Sequence, residues 1–357
     1  MIRKWSFDEA FLKEQIRRGK IRLKHIDTNS READEIISMI DNFEQLLGIE
    51  KDEEIPKISL DRMVANLNNI MNDDLQLIKI DEWRELKHFC QHMPKYHRKD
   101  TNSSELPRGD GSALRSSLNF YKNLDINIYG ACKRIVESDY KLVNFVPKKI
   151  FKKDDDGSSY VFECDHLDLP FVNITCHDDL KYPITVHELR HAATYYLYGK
   201  RMRTLLGELP SIYSELLFTD KINRYYDCGN LYNFRINDVS NIMAGIGKYI
   251  NFLERFDSWG REFNIYNIYD ILEVSNNKQL LELYKKLLKD PYLRGYDYLV
   301  STLIALEFRE CYYAGYKNKV NEAMENIMLG AKVKPNYDKL AERYINHTNY
   351  TYSLSHK

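Results

Sequence analysis

Glycine and proline are scarce in this sequence of 357 residues, which contains 15 glycines and 9 prolines. Their scarcity excludes a collagen-like repeat and a low-complexity disordered chain. Hydrophobic residues make up 43% of the sequence and charged residues 29%, which is the composition of a folded globular protein. The chain is long enough to bury a substantial core in one large domain or two smaller ones.

The sequence also lacks an excess of charge of either sign and a long hydrophobic run. Lys and Arg number 52 against 53 Asp and Glu, so global charge favours neither nucleic acid nor an anionic membrane as a partner. No stretch approaches the ~18 apolar residues of a membrane helix, and the N-terminal segment lacks the apolar core of a secretory signal. We therefore expect a cytoplasmic protein, and the sequence leaves its oligomeric state open.

Cysteines are few and irregularly spaced, at positions Cys90, Cys132, Cys164, Cys176, Cys228 and Cys311. This spacing is typical of reduced thiols, and we expect no structural disulfide. Cys164 and His166, together with Cys176 and His177, resemble a zinc ligand set. The first pair is separated by one residue and the second pair is adjacent in sequence. Ligands this close together rarely form a tetrahedral zinc site, which disfavours this interpretation.

Apolar periodicity predicts a mainly α protein with a small β-sheet. Residues 1–145 read as a helical lobe, and residues 146–357 as a second domain. Within that domain, 146–176 contains strand-like runs around a turn signal at 154–157, which predicts a small sheet with a hairpin tip. Polar and turn residues concentrate in 98–112, which predicts a mobile loop that is either a lid or slack chain.

The segment ITVHELRHAATYYLYG carries the pattern HExxH. On a helix over residues 183–199, His187 and His191 lie four residues apart on one face, where two imidazoles can bind one metal ion. Glu188 is rotated by about 100° from His187, where it can accept a proton from a metal-activated water as a general base. The alternative interpretation is a capping box formed by Thr185 and Glu188, with no metal on the histidines.

A catalytic zinc takes three protein ligands and leaves one position for water, so a third ligand is needed downstream. Glu208 and Glu215 are seven residues apart and share one face of a predicted helix over 207–226. Either carboxylate can complete a His, His, Glu ligand set, and the other can accept a hydrogen bond from a ligand imidazole. An ordinary amphipathic helix is the alternative interpretation of this segment.

These residues resemble the thimet oligopeptidase and oligoendopeptidase F family of zinc peptidases. In that family the HExxH helix is followed by a helix with the pattern E-x-x-S-x-x-x-E, which Glu208, Ser211 and Glu215 match. The resemblance implies that Glu208 is the third zinc ligand and that Glu215 supports a ligand histidine. It also implies a zincin-like catalytic domain over 146–357 with further C-terminal helices, one Zn²⁺ per chain and a peptide substrate.

The resemblance extends to a substrate-binding strand and to a helix that contains tyrosines. The segment LPFVNIT is similar to the family's edge strand, which implies that Val172, Asn173 and Ile174 pair with the main chain of an extended peptide. The segment GYDYLVSTLIALEF is similar to the family's tyrosine helix. This similarity implies that Tyr298, or else Tyr296, donates a hydrogen bond to the oxyanion of the reaction. In the alternative interpretation these tyrosines only pack in the core.

The leading prediction is a zinc-dependent metalloendopeptidase that hydrolyses oligopeptides, with Glu188 as the general base. Three departures from the family support a non-catalytic or narrowly specific peptide-binding or protein-binding relative as the alternative. Arg190 stands where the family usually has glycine, and it needs a carboxylate partner or a route to solvent. The family's histidine before the tyrosine helix is absent, and the N-terminal part is shorter. A zinc hydrolase of non-peptide amides is a further alternative.

Overall fold

A computed structural model gives the structure of the protein. It describes residues 8–26, 31–49, 59–93, 109–147, 159–162, 164, 168–176, 180–199, 205–223, 229–289, 292–331, 333, 335–342 and 344–345. The protein is mainly α-helical with one small sheet, which confirms the predicted fold class. Most of the predicted loop at 98–112, and the whole predicted hairpin tip at 154–157, lie outside the described residues.

Six described helices precede the sheet: α1 (Glu9–Arg22), α2 (Arg31–Leu46), α3 (Leu60–Leu77), α4 (Ile80–His92), α5 (Asp110–Leu124) and α6 (Ile126–Val136). Seven described helices follow it: α7 (Lys181–Tyr198), α8 (Leu209–Asn223), α9 (Gly229–Ser258), α10 (Ile268–Ile271), α11 (Asn277–Lys289), α12 (Tyr292–Tyr313) and α13 (Lys317–Met328). Among the described residues, no helix combines the length and the apolar composition that a bilayer-spanning segment requires.

Several helices begin at a side chain that caps their N-terminus. The carboxylate of Asp8 accepts a hydrogen bond from the main-chain N–H of Phe11 at the start of α1. Asp125 accepts from the N–H groups of Asn127 and Ile128 at the start of α6. These carboxylates satisfy donors that have no partner within the helix, and this local signal determines where the helices begin.

The sheet has the strand order β1-β3-β2, with β1 (Val143–Pro147), β2 (Tyr160–Phe162) and β3 (Phe171–Cys176). Strand β1 runs parallel to β3, and β2 runs antiparallel to it. Strand β3 is therefore central. The prediction that Val172, Asn173 and Ile174 form an edge strand for a peptide is wrong, because β1 and β2 occupy the two sides of β3.

Helix α7 lies at the centre of the molecule, packed against α5, α6, α8 and β3. The hydroxyl of Tyr121 on α5 donates to the main-chain carbonyl of Val186 at 2.6 Å. The thiol of Cys132 on α6 donates to the carbonyl of Leu189 at 3.4 Å. Val186 and Leu189 are fully buried. Helix α7 is therefore held on several sides, and its remaining polar face is positioned against α8.

The division of the chain at residues 145 and 146 stays a prediction, and its boundary falls inside β1. Strand β1 begins at Val143 and pairs with β3, while α5 and α6 pack against α7. Residues on both sides of the predicted boundary thus share one hydrophobic core. The physical reason is that a strand buries its apolar side chains only when the sheet is assembled.

Candidate metal centre

Helix α7 brings the two histidines of the HExxH pattern together on the face that packs against α8. The Nε2 atoms of His187 and His191 are 3.0 Å apart. The His187 side chain is almost completely buried, with 5% of its surface exposed, whereas 23% of the His191 side chain is exposed. Helical spacing alone produces this convergence, because residues four apart are neighbours on one helix face.

Glu208 is the residue immediately before α8, and it completes the group. Its Oε2 atom lies 3.1 Å from Nε2 of His187 and 3.0 Å from Nε2 of His191. Among the described residues, His187, His191 and Glu208 form a group of side chains that could hold a metal ion. The structure thus brings together the three residues that the sequence predicts as metal ligands.

The three donor atoms fit a small divalent cation. Tetrahedral ligands at the 2.0–2.1 Å distances of zinc are separated from one another by roughly 3.3 Å. The donor atoms of His187, His191 and Glu208 are separated by 3.0–3.1 Å. Two imidazole nitrogens and one carboxylate oxygen are also a ligand set that zinc prefers. His191 is partly exposed, so the group is not completely enclosed by the protein.

Glu215 contacts the opposite edge of His187. Its Oε2 atom lies 3.0 Å from Nδ1 of His187, and 5% of its side chain is exposed. The two carboxylates that the sequence leaves as alternatives therefore have different positions. Glu208 faces the Nε2 atoms of both histidines, whereas Glu215 faces only the Nδ1 atom of one.

The buried carboxylates set the protonation of this centre. Burial by itself lowers the pKa of His187, but hydrogen bonds with Glu208 and Glu215 outweigh that effect and raise the pKa to about 9. The pKa of Glu208 is held well below its usual range, because the two histidines outweigh the opposing effect of burial. The two carboxylates therefore favour a protonated His187, and a metal ion that bound here would have to displace that proton.

Glu188 lies beside this group on α7 and is buried. Its carboxylate is close enough to contribute to the raised pKa of His187. The sequence places it one position after His187, so its side chain points about 100° away from the face that carries the two histidines. Glu188 is thus a hydrogen-bond acceptor next to the group formed by His187, His191 and Glu208, and it is not a member of that group.

Asp297 is a residue of this region that the sequence analysis missed. Its Oδ1 and Oδ2 atoms lie 3.2 Å and 3.3 Å from the main-chain nitrogen of Glu208, which donates to them. The hydroxyl of Ser301, one turn further along α12, donates to Oδ1 at 2.7 Å. Burial, and then the neighbouring Glu208 carboxylate, raise the pKa of Asp297 to about 7. No local signal in the sequence singles out Asp297, because α12 also contains Glu307 and Glu310.

The two candidate tyrosines of α12 point in different directions. The ring of Tyr298 is nearly parallel to that of His187, with the centroids 6.5 Å apart. Tyr296 is buried against Trp83, with the ring centroids 5.3 Å apart, and burial is the main cause that raises its pKa to about 12. Residues two apart on a helix point about 200° apart. The catalytic role of Tyr296 stays a prediction, but its side chain lies in the core beside Trp83, whereas Tyr298 lies next to His187.

The cysteine and histidine pairs that resemble a zinc site in the sequence are described only in part. Cys164 is a buried free thiol. His166 and His177 lie outside the described residues. Cys90, Cys132 and Cys311 are also free thiols in the part of the chain that the structure describes.

Comparisons with known proteins identify no family from the sequence. No protein-family profile matches it, and no curated protein is significantly similar to it. The chain resembles the crystal structure of a candidate oligoendopeptidase F from Bacillus anthracis strain Ames, with a TM-score of 0.45 and 14% identity over 90% of this chain and 63% of that chain. A second candidate oligoendopeptidase F, solved at 3.1 Å, gives a TM-score of 0.42 and 14% identity over 94% and 66%. The chain thus spans slightly less than two thirds of the length of either protein.

Proposed function

We propose that this protein is a zinc-dependent metallopeptidase that hydrolyses peptide bonds of oligopeptides, with one zinc ion per chain. The observation that carries the proposal is the convergence of His187, His191 and Glu208, whose donor atoms lie within 3.1 Å of one another. A buried carboxylate that is not a ligand lies directly beside this group, at Glu188. Three ligands with an adjacent base are the arrangement that metal-assisted hydrolysis requires.

Each buried carboxylate has its own role in the proposed reaction. A bound zinc ion supplies Lewis acidity, which lowers the pKa of a water and polarises a peptide carbonyl. The carboxylate of Glu188 accepts the proton of that water and then delivers it to the nitrogen of the departing amine. Glu215 accepts the Nδ1–H of His187, which leaves the lone pair on Nε2 and would make this imidazole a stronger ligand for zinc.

We place the bound peptide along β2 instead of β3. In the described part of the sheet, β1 and β2 are the edge strands, and β2 is the edge that packs against α7. An edge strand presents unpaired N–H and C=O groups with which an extended peptide can pair. In this proposal the peptide pairs with β2 and not with Val172, Asn173 and Ile174, which lie on the central strand β3.

The proposed activity is tested by incubating the purified protein with a mixed peptide library and identifying the products by mass spectrometry. We expect cleavage that stops when a chelator is added and returns with zinc. Peptide binding without cleavage at saturating zinc would instead support the non-catalytic alternative. Hydrolysis of a non-peptide amide with no peptide cleavage would assign the centre to a different substrate class.

Tyr298→Phe is expected to lower kcat by roughly 10- to 100-fold with little change in KM. The hydroxyl of Tyr298 is the proposed donor to the oxyanion that develops in the transition state, and a donor of this kind acts mainly on kcat. Tyr296→Phe is the matched control, because Tyr296 packs against Trp83 in the core. Steady-state kinetics should show a near-normal kcat for the control. Equal losses of kcat in the two variants would argue against the role of Tyr298.

Asp297→Asn is expected to weaken zinc binding by roughly tenfold. The Asp297 carboxylate holds the main-chain N–H of Glu208 and so positions this ligand at the start of α8. Outer partners of metal ligands typically contribute 10- to 100-fold in affinity, and Asn keeps one acceptor. Competition with a chromogenic chelator measures the change.

Asp220→Asn is the control for this positioning role. Asp220 lies at the other end of α8 and pairs with Arg309 at 2.6 Å and 2.8 Å. Its substitution should lower the melting temperature without changing zinc affinity, because it does not contact the metal centre. If Asp297→Asn lowers only the melting temperature as well, Asp297 is structural and does not position Glu208.

A further inference from the structure

Arg190 is a buried arginine that the proposed reaction does not use. It precedes His191 on α7, and 8% of its surface is exposed. The sequence predicts that it needs a carboxylate partner or a route to solvent. A guanidinium is a cation, and a buried charge is costly unless an opposite charge or sufficient hydrogen bonds compensate it.

The described residues do not supply that compensation at close range. The Nη2 atom of Arg190 donates to the thioether sulfur of Met324 on α13 at 3.7 Å, and a thioether is a weak acceptor. The Nε atom is buried and has no acceptor among the described residues. Within the part of the chain that the structure describes, no carboxylate forms an ion pair with Arg190, whereas Arg309 has the bidentate partner Asp220.

A second buried donor without a partner lies one turn away. Thr194 is on the same face of α7 as Arg190, and 3% of its surface is exposed. Its Oγ1 atom has no hydrogen-bond partner among the described residues. Residues four apart on a helix have their Cβ atoms about 5–6 Å apart. The two side chains therefore leave neighbouring positions on one helix face, and each carries a buried polar atom without a hydrogen-bond partner among the described residues.

We infer that Arg190 and Thr194 form a binding site for a small inorganic anion, for which chloride is the representative. A water molecule can accept one of these hydrogen bonds, but it leaves the guanidinium charge uncompensated. A monovalent anion accepts from both donors and also balances the charge. Because both side chains are more than nine-tenths buried, the site suits a small ion and excludes the carboxylate of a bound peptide.

Longer-range compensation is the competing explanation for the unpaired charge. Glu215 and Glu325 act together with Arg190 on the pKa values of neighbouring tyrosines, so both carboxylates lie in its wider surroundings. If these carboxylates balance the guanidinium by themselves, the protein needs no anion. Its stability will then not depend on chloride at constant ionic strength.

Thermal unfolding of the purified protein separates the two explanations. Chloride replaces gluconate stepwise at constant ionic strength, and the melting temperature is recorded. Binding to the folded state alone raises the melting temperature with saturation, by roughly 3–6 °C at about 100 times the dissociation constant. A melting temperature that does not respond to chloride would overturn the inference.

Two variants locate the response. Arg190→Met removes the charge and keeps a long apolar side chain, so the chloride response should disappear. Arg309→Met removes an arginine that already has a carboxylate partner, and it should lower the melting temperature while the chloride response remains. Arg190→Met retains every proposed metal ligand. A response that persists in this variant would place the chloride elsewhere, including on the metal.

A direct measurement applies even where Arg190→Met fails to fold. Crystals of the unmodified protein grown in sodium bromide should give an anomalous peak next to Nε of Arg190 and Oγ1 of Thr194. A water molecule at that position, with no anomalous signal, would contradict the inference. Neither measurement requires turnover, so its result is independent of the proposed peptidase activity.

Discussion

Glu188→Gln is expected to abolish most peptide hydrolysis while the protein still binds one zinc ion per chain. Glu188 is buried beside the three candidate ligands but is not one of them, so the substitution leaves His187, His191 and Glu208 in place. The amide of Gln cannot accept the proton of the attacking water. Loss of a general base typically costs 10²- to 10⁴-fold, and we expect kcat to fall by about 10³-fold. Steady-state kinetics on the cleaved peptides and metal analysis of the same preparation measure both quantities.

Glu307→Gln is the matched control for the loss of one carboxylate. Glu307 lies on α12, and its carboxylate accepts a hydrogen bond from Nζ of Lys339 at 2.6 Å. It is not part of the candidate metal centre. This variant should hydrolyse peptides at nearly the wild-type rate. Undiminished hydrolysis by Glu188→Gln would refute its role as the base. Loss of zinc together with activity would show instead that Glu188 holds the metal.

Glu208→Gln and Glu215→Gln are expected to weaken zinc binding to very different extents. Glu208 approaches the Nε2 atoms of both histidines, so its loss removes a ligand and a negative charge next to the cation. We expect zinc affinity to fall by well over 100-fold in this variant. Glu215 contacts only Nδ1 of His187, and Gln can still accept that hydrogen bond. Its loss should therefore cost roughly 10- to 100-fold, as for other outer partners of metal ligands.

Competition with a chromogenic chelator measures the two affinities, and circular dichroism verifies that each variant is folded. The comparison contains its own control, because both variants replace a glutamate that contacts His187 with the same amide. If Glu215→Gln loses more zinc affinity than Glu208→Gln, the two carboxylates exchange roles. If both variants bind zinc as tightly as the unmodified protein, the metal lies elsewhere.

The convergence of the two candidate metal-ligating histidines was predictable from the sequence because their geometry is local. His187 and His191 are one helical turn apart, so their convergence needs only that α7 forms. The assignment of the third ligand is different. Glu208 and Glu215 are seven residues apart and equivalent by spacing, and only the approach of α8 to α7 separates their contacts. Asp297 was missed because it reaches Glu208 from α12, 89 residues further along the chain.

Helical periodicity acts over a few residues, so it was enough to predict the fold class, the polar face of α7 and the candidate set of histidines and glutamates. Tertiary packing decided which side chains meet. It placed β3 at the centre of the sheet, turned Tyr298 towards His187 and Tyr296 towards Trp83, and buried Arg190 without a carboxylate partner among the described residues. These outcomes depend on contacts between segments far apart in the chain, and no local pattern of residues encodes the distance between them.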